Sequence, residues 1–206
     1  EAAINCYEMV LAIKPDFADA YNNLGVAFLN LDQLDKAVKS YKAALKLNPN
    51  FVEAINNLGI GFYNLGQMED AIKSYEKVIA IQPDFVKAYN NLGNALMELG
   101  QLDEALKSYK AALKLKPDFV EAINNLGITF YKLHQLDDAM NCYDRALVLD
   151  PDFADAHNNI GTVLLERGQL NDAVKSYKEA LKLKPEFVEA LNNMGLTLNK
   201  LLQAHN

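Results

Sequence analysis

The sequence has no long hydrophobic run, no basic leader and no tract rich in glycine, serine or proline among its 206 residues. A membrane-spanning helix needs about 20 apolar residues in a row, and a secretory signal begins with basic residues, which residues 1–7 lack. We therefore expect no membrane partner and a soluble location. Because linker tracts are missing and 50% of the residues are hydrophobic, we also expect an ordered chain.

Basic residues and histidines are scarce as well. The chain carries 20 lysines and arginines against 27 aspartates and glutamates, a net charge of −7, which disfavours binding to nucleic acids. The three histidines, His134, His157 and His205, are unevenly placed, and no pair of histidines or cysteines has the spacing of metal ligands. No phosphate-binding glycine loop and no Ser/His/Asp set is recognisable. We predict no metal, no cofactor and no catalytic residue, so that this chain alone is not an enzyme.

Proline, although rare, follows a strict rule. All six prolines recur at one constant interval, 49 − 15 = 34, which is typical of a repeat array. They are Pro15, Pro49, Pro83, Pro117, Pro151 and Pro185.

One repeat contains two stretches with apolar residues at helical spacing. These stretches are 18–31 and 34–47, and the polar turn Asp32-Gln33 separates them. The unit is therefore predicted to be an antiparallel helical hairpin. We expect one array over residues 1–206, with a second helix of a partial repeat at 1–17, full repeats at 18–51, 52–85, 86–119, 120–153 and 154–187, and a first helix of a partial repeat at 188–206.

The period also bears on the two cysteines. The positions of Cys6 and Cys142 differ by 142 − 6 = 136, which equals four repeats of 34. Four packed helix pairs separate two Cα atoms by far more than the ~7 Å that a disulfide allows. We expect free thiols, and hence a cytoplasmic or other reducing intracellular location.

Polar residues after the prolines predict the starts of the first helices. Asp16, Asn50, Asp84, Asp118 and Asp152 follow the prolines directly and are residue types that favour the N-cap position. Acidic residues three positions later would complete capping boxes. These are Asp19, Glu53, Glu121 and Asp155.

The pattern of large and small residues resembles the tetratricopeptide repeat (TPR) family. One unit matches the family pattern throughout, with Tyr21, Leu24, Gly25, Phe28, Ala37, Tyr41, Ala44 and Pro49. The resemblance covers the whole chain. It implies an all-α fold, a right-handed superhelical α-solenoid of antiparallel helix pairs whose first helices line a concave groove. It also implies a protein–protein interaction scaffold.

A second period, twice as long, lies on top of the first. The segment 34–65 is identical to 102–133 at 26 of 32 positions, an offset of 102 − 34 = 68, but to 68–99 at only 13 of 32, an offset of 68 − 34 = 34. We infer that pairs of repeats were duplicated, so that neighbouring repeats alternate in groove chemistry.

A helical wheel separates the packing side of the first helix from a wedge of about 120° that holds Asp19, Asn22, Asn23, Val26, Leu29 and Asn30. We expect this wedge to face the groove, where asparagine amides bind the backbone of a peptide and apolar residues bind its side chains. The predicted peptide-binding residues are Asn22, Asn23, Asn56, Asn57, Asn90, Asn91, Asn124, Asn125, Asn158, Asn159, Tyr63, Met97, Tyr131 and Lys87.

Several alternatives stay open at this point. One asparagine of each pair could serve the scaffold, while the second row resembles the inner-surface ladder of the repeats of protein O-linked N-acetylglucosamine transferase. The chain is then either a scaffold for an extended peptide or protein segment, or the substrate-recognition arm of a larger enzyme of that kind. Self-association through uncapped ends is a third alternative. Lys87 and Asn57 match two positions of the clamp with which some TPR proteins hold a C-terminal carboxylate, but the basic residues expected at Asn22 and Asn91 are missing.

Overall fold

Twelve helices and no strand are found in residues 1–204, the part of the chain that this computed structural model describes. Their bounds are α1 Ala2–Ile13, α2 Ala18–Leu29, α3 Leu34–Leu47, α4 Val52–Asn64, α5 Met68–Ile81, α6 Val86–Glu98, α7 Leu102–Leu115, α8 Val120–Lys132, α9 Leu136–Leu149, α10 Ala154–Glu166, α11 Leu170–Leu183 and α12 Val188–Ala204.

The chain forms two compact units. Unit 1 is Glu1–Ser108 and holds α1 to α6, and unit 2 is Tyr109–Asn206 and holds α8 to α12, with the boundary inside α7. Within each unit, consecutive helices pack against one another, for example α2 on α3 and α10 on α11. Because only a few residues join the two members of such a pair, the pair is an antiparallel hairpin. The expected fold class, an all-α solenoid of helix pairs, is confirmed, whereas the handedness and the single array stay predictions.

A tyrosine and a glycine hold the two helices of a repeat together. Tyr177 of α11 is completely buried, and its ring lies against Gly161 of α10. A Cβ at position 161 would be only 2.5 Å from Cε1 of that ring, so the position requires glycine for steric reasons. The same contact joins Gly25 to Tyr41 in unit 1. The glycine and tyrosine of the repeat pattern therefore set the spacing between the helices.

The first helix ends in a left-handed turn. In α2, the N–H of Gln33 donates to the carbonyl of Phe28 and the N–H of Asp32 donates to that of Leu29, while Asp32 has a φ of 56°. This pair of bonds is the Schellman arrangement, which satisfies the last carbonyls of a helix. The first helix therefore ends at Leu29, two residues before the predicted end, and the second helix spans the predicted residues 34–47.

The predicted N-caps are wrong. The residue before each of the first helices α2, α4, α6, α8 and α10 is a phenylalanine, such as Phe51 before α4, and no side chain caps these helices. In α4 the N–H of Phe51 donates to the carbonyl of Asn48, so Pro49 and Asn50 lie in a turn rather than at the cap. Acidic residues such as Glu53 still lie in the first turn, where their negative charge interacts favourably with the positive end of the helix dipole.

Candidate functional site

The first helices of neighbouring repeats contact one another. In unit 1, α2 contacts α4 and α4 contacts α6, and in unit 2, α8 contacts α10 and α10 contacts α12. We call the surface that these helices form in each unit the first-helix face. The asparagine pairs of the sequence lie on these helices, so the face brings the amides of successive repeats together.

The first asparagine of each pair is buried. Its exposed fraction ranges from 1% at Asn158 to 8% at Asn90. A buried amide is stable only when it is hydrogen-bonded. The members of this first row are Asn22, Asn56, Asn90, Asn124 and Asn158.

In unit 1, the second asparagine of one repeat bonds to the first asparagine of the preceding repeat. Nδ2 of Asn57 donates to Oδ1 of Asn22 at 3.0 Å, and Nδ2 of Asn91 donates to Oδ1 of Asn56 at 3.3 Å. The first row is therefore an inter-repeat contact. This geometry favours the interpretation that one amide of each pair serves the scaffold.

Unit 2 repeats the arrangement and extends it into a chain of amides. Nδ2 of Asn193 donates to Oδ1 of Asn158 at 3.3 Å, and Nδ2 of Asn159 donates to Oδ1 of Asn124 at 2.9 Å. Between these two bonds, Nδ2 of Asn158 donates to Oδ1 of Asn159 at 3.5 Å. Each amide in this chain donates to the next one, and the four amides connect the three first helices α12, α10 and α8.

The second row keeps hydrogen-bonding capacity on the surface. A primary amide has two N–H groups and a carbonyl oxygen with two acceptor sites, and the bond to the preceding repeat uses one N–H. Asn57, Asn91 and Asn159 are half-buried, and Asn23 is exposed. The remaining groups are available to a ligand in an orientation that the inter-repeat bond fixes.

A cavity of 220 Å³ lies beside this row in unit 1. Its walls come from Ile60 and Tyr63 of α4, from Asn91 and Asn94 of α6 and from Tyr75 of α5. Two of the predicted site residues, Tyr63 and Asn91, are therefore brought together.

Unit 2 has a cavity of 280 Å³ at the equivalent place of the two-repeat period, since 128 − 60 = 68. Ile128, Tyr131, Tyr143, Asn159 and Thr162 of this cavity correspond to Ile60, Tyr63, Tyr75, Asn91 and Asn94 of the unit 1 cavity. The remaining lining residues are Asn124, Lys132, Asp155, Asn158 and Glu189. The two cavities are thus one two-repeat period apart, and the unit 2 cavity differs by the charged residues in its lining.

The tyrosines that line the two cavities resist ionisation. Tyr75 and Tyr143 are 1% and 2% exposed, and this burial raises the pKa of each phenol well above its usual range. Burial, followed by a hydrogen bond to the Glu166 carboxylate, raises the pKa of Tyr131 to about 12. Burial and then the charge of Glu98 raise the pKa of Tyr63. All four phenols are neutral at physiological pH and can donate or accept a hydrogen bond.

Comparison with known protein families agrees with the helix pairs and the repeated residues. A model described as "Tetratricopeptide repeat" matches residues 18–51, and one described as "TPR repeat" matches residues 1–32. A third TPR model, described as "Cilia and flagella-associated protein 70 C-terminal domain", matches residues 52–203. The chain belongs to the tetratricopeptide repeat family.

Solved structures, two of them described as TPR proteins, have the same fold. MamA is 28% identical, with a TM-score of 0.68 over 79% of this chain and 95% of that chain. TTC0263, a thermophilic TPR protein from Thermus thermophilus, is 24% identical, with a TM-score of 0.76 over 88% of this chain and 99% of that chain. YrrB, described as a TPR protein with an unusual peptide-binding site, is 22% identical, with a TM-score of 0.66 over 90% of this chain and 96% of that chain. No curated protein matches the chain at a significant level.

The other predicted site residues of this TPR chain lie apart from the cavity linings. Met97 is half-buried at the end of α6, and Lys87 is exposed in the first turn of the same helix. Asn125 is half-buried next to the first-row residue Asn124. Their part in ligand binding stays a prediction.

The sequence reasoning missed several residues that line the cavities. Tyr75 and Tyr143 belong to second helices, which the wheel of the first helix cannot include. Asp155 and Glu189 share the repeat position of Asp19, which the wheel placed in the groove wedge, so their position in the repeat was the available signal.

Two of the histidines make local contacts. Nδ1 of His134 lies 3.3 Å from Oε1 of Glu166, and Nε2 of His157 lies 3.1 Å from the carbonyl oxygen of Pro151, whereas His205 lies outside the described residues. Both cysteines are free, as expected, and burial raises the pKa of the Cys142 thiol to about 11. Within residues 1–204, no helix is long and apolar enough to cross a membrane, and no group of three or more potential metal ligands is found.

Proposed function

We propose that this chain is an interaction scaffold that binds an extended peptide along its first-helix face. The second-row asparagines bind the peptide backbone, and the two cavities bind individual side chains. TPR chains are interaction modules, and one structural neighbour, YrrB, is described as having a peptide-binding site.

The observation that carries the proposal is the bond between the amides of successive repeats. Asn57 and Asn91 each donate one N–H to the repeat before them, which fixes the direction of the amide. A fixed amide loses less side-chain entropy when a ligand binds than a free one does. Because a peptide backbone has a regular series of donors and acceptors, a regular series of oriented amides is complementary to it whatever the peptide sequence.

The cavities add the means to select side chains. Ile60 and Tyr63 present apolar surface in unit 1, and Ile128 and Tyr131 do so in unit 2. Burial of apolar surface contributes roughly 25 cal/mol per Å², so one well-filled cavity can distinguish a large side chain from alanine. Backbone contacts would then give affinity for peptides in general, and the cavities would give a preference for particular side chains.

The test uses a random dodecapeptide library displayed on phage, from which binders are selected and then synthesised with a fluorescent label. Each peptide is compared with forms in which one backbone nitrogen is methylated, on the native chain and on Asn91→Ala. On the native chain, loss of one N–H at the amide contact should raise Kd about two- to tenfold, which is the value of a neutral hydrogen bond. The same methylation should have little effect on Asn91→Ala, because the acceptor is gone.

Exposed asparagines on second helices give matched controls. Asn141→Ala in α9 and Asn171→Ala in α11 remove amides of the same kind away from the first-helix face, so they should keep the native response to methylation. Circular dichroism confirms that each variant is folded. A library that yields no binder, or a methylation effect that is the same on Asn91→Ala as on the native chain, would refute the proposal.

A further inference from the structure

We propose that the cavity of unit 2 accepts one lysine or arginine side chain of the bound peptide, a deepening that rests on the proposed function. The side-chain stem lies against Ile128 and Tyr131, and its charged end is bound by Asp155, Glu189 and the hydroxyl of Tyr143. The equivalent cavity of unit 1 accepts an uncharged side chain. The two cavities therefore select different residues of one ligand.

The size of the cavity suits a single side chain. Pockets for drug-sized ligands and cofactors occupy about 300–1,000 Å³, and this one has 280 Å³. Ile128 and Tyr131 of α8 form its apolar side, which suits the methylene stem of a long basic residue.

Two carboxylates face this cavity without a cation of their own. Asp155 of α10 is half-buried and Glu189 of α12 is exposed, and within the described residues neither carboxylate has a lysine, arginine or histidine nitrogen closer than 4.0 Å. Lys132 also lines the cavity, so the lining has two negative charges and one positive charge. The remaining negative charge favours a cationic occupant.

The unpaired hydroxyl of a buried tyrosine provides an independent indication of a ligand. Tyr143 is only 2% exposed and lines the cavity, and among residues 1–204 its hydroxyl has no hydrogen-bond partner. The tyrosine at the same position of the next repeat differs, because the hydroxyl of Tyr177 donates to Oγ1 of Thr162 at 3.4 Å. The Tyr143 oxygen therefore opens into the cavity, and a ligand that fills the cavity would cover this oxygen and has to offer it a hydrogen-bond donor. The ammonium or guanidinium group of a ligand supplies that donor.

The duplicated cavity of unit 1 provides the contrast. Its lining, Ile60, Tyr63, Tyr75, Asn91 and Asn94, holds no charged residue. Position 155 corresponds to position 155 − 68 = 87, which is occupied by Lys87. A lysine at this point of the repeat opposes a cationic ligand. Asp155→Lys therefore introduces a residue that the fold already has at the equivalent position of α6, Lys87.

The test uses the phage-selected peptides and replaces each of their lysines or arginines in turn by norleucine, which keeps an apolar stem and removes the charge. On the native chain, one such replacement should raise Kd about tenfold, measured by fluorescence anisotropy. Asp155→Lys should abolish the difference between the two peptides, and Asp155→Asn should reduce it. Lys132→Ala should increase the difference in Kd between the two peptides, because the positive charge of Lys132 repels a basic side chain of the ligand.

Lys87→Asp is the matched control, since it makes the reciprocal change in unit 1 and should leave the norleucine effect at the unit 2 contact unchanged. Thermal unfolding followed by circular dichroism shows which variants are folded, and Asp155→Asn keeps the test valid if Asp155→Lys does not fold. Peptides that bind without a basic residue of this kind, or a norleucine effect that persists in Asp155→Lys and Asp155→Asn, would overturn the inference while peptide binding stands. A library without binders would overturn both proposals.

Discussion

Replacing Gly161 by alanine should destabilise the chain, although alanine is the better helix former. The new Cβ would lie 2.5, 2.7 and 2.8 Å from three carbons of the Tyr177 ring. To reach an ordinary contact of 3.4 Å, the ring must move by about 0.9 Å, and it is completely buried. Overpacking of this kind costs about 1–3 kcal/mol, against a gain of about 1 kcal/mol in helix propensity. We expect a net loss of about 1 kcal/mol.

Gly195 offers the control within the same repeat position. A Cβ there would meet no atom within 4 Å, so Gly195→Ala should gain about 0.5–1 kcal/mol from helix propensity alone. For a chain of this size, 1 kcal/mol corresponds to about 2–4 °C in the midpoint of thermal unfolding. The two variants should therefore shift the midpoint in opposite directions, which differential scanning calorimetry can resolve.

A double-mutant cycle assigns the loss to the ring. In a Tyr177→Leu background the three ring carbons are gone, so Gly161→Ala should cost less than it does in the native chain. Stabilisation by Gly161→Ala equal to that by Gly195→Ala would refute the steric argument. An unchanged cost in the Tyr177→Leu background would show that the loss has another origin.

Two more predictions concern buried polar groups. Asn158→Ala removes an amide that is 1% exposed and accepts a hydrogen bond from Asn193, so it should lower the free energy of unfolding in urea by about 2 kcal/mol. Asn171 is exposed, so Asn171→Ala should change this free energy by less than about 0.5 kcal/mol. Equal effects of the two substitutions would contradict the structural role of the first row. Burial raises the pKa of Tyr41 from its ordinary value near 10 to about 12, so the folded state binds more protons than the unfolded state in this window and stability should fall as the pH rises from 10 to 12. The urea midpoint should decline less steeply in Tyr41→Phe, and identical slopes would remove Tyr41 as a cause.

Much of the fold could be predicted because the packing of the helices is repeated in the sequence. The apolar spacing in 18–31 and 34–47 and the polar turn between them predicted the hairpin. The glycine and tyrosine of the repeat pattern then meet where the two helices approach closely, as Gly25 and Tyr41 show. The N-caps could not be predicted from residue type alone. The turn after Pro49 is closed by the backbone of Phe51, and this contact leaves Asn50 outside the cap position.

The candidate site could be predicted only in part. A helical wheel places Asn56 and Asn57 side by side, because it describes one helix in isolation. Their separation into a buried and a half-buried amide depends on how the next first helix packs, which brings Asn91 to Asn56. The cavities likewise need a second helix, which supplies Tyr75 and Tyr143, so a method that treats each helix alone cannot find them.

The contact between glycine and tyrosine has a consequence for how such chains diversify. It fixes helix spacing on one side of the first helix, whereas positions 87 and 155 lie in the first turn of the first helices and carry opposite charges. Gene duplication of a two-repeat segment can then copy a cavity whole, and later substitutions can change the charge of its lining while the packing between the helices stays as it was. For protein engineering, the natural building block of this chain is accordingly the pair of repeats, with its surface positions open to variation.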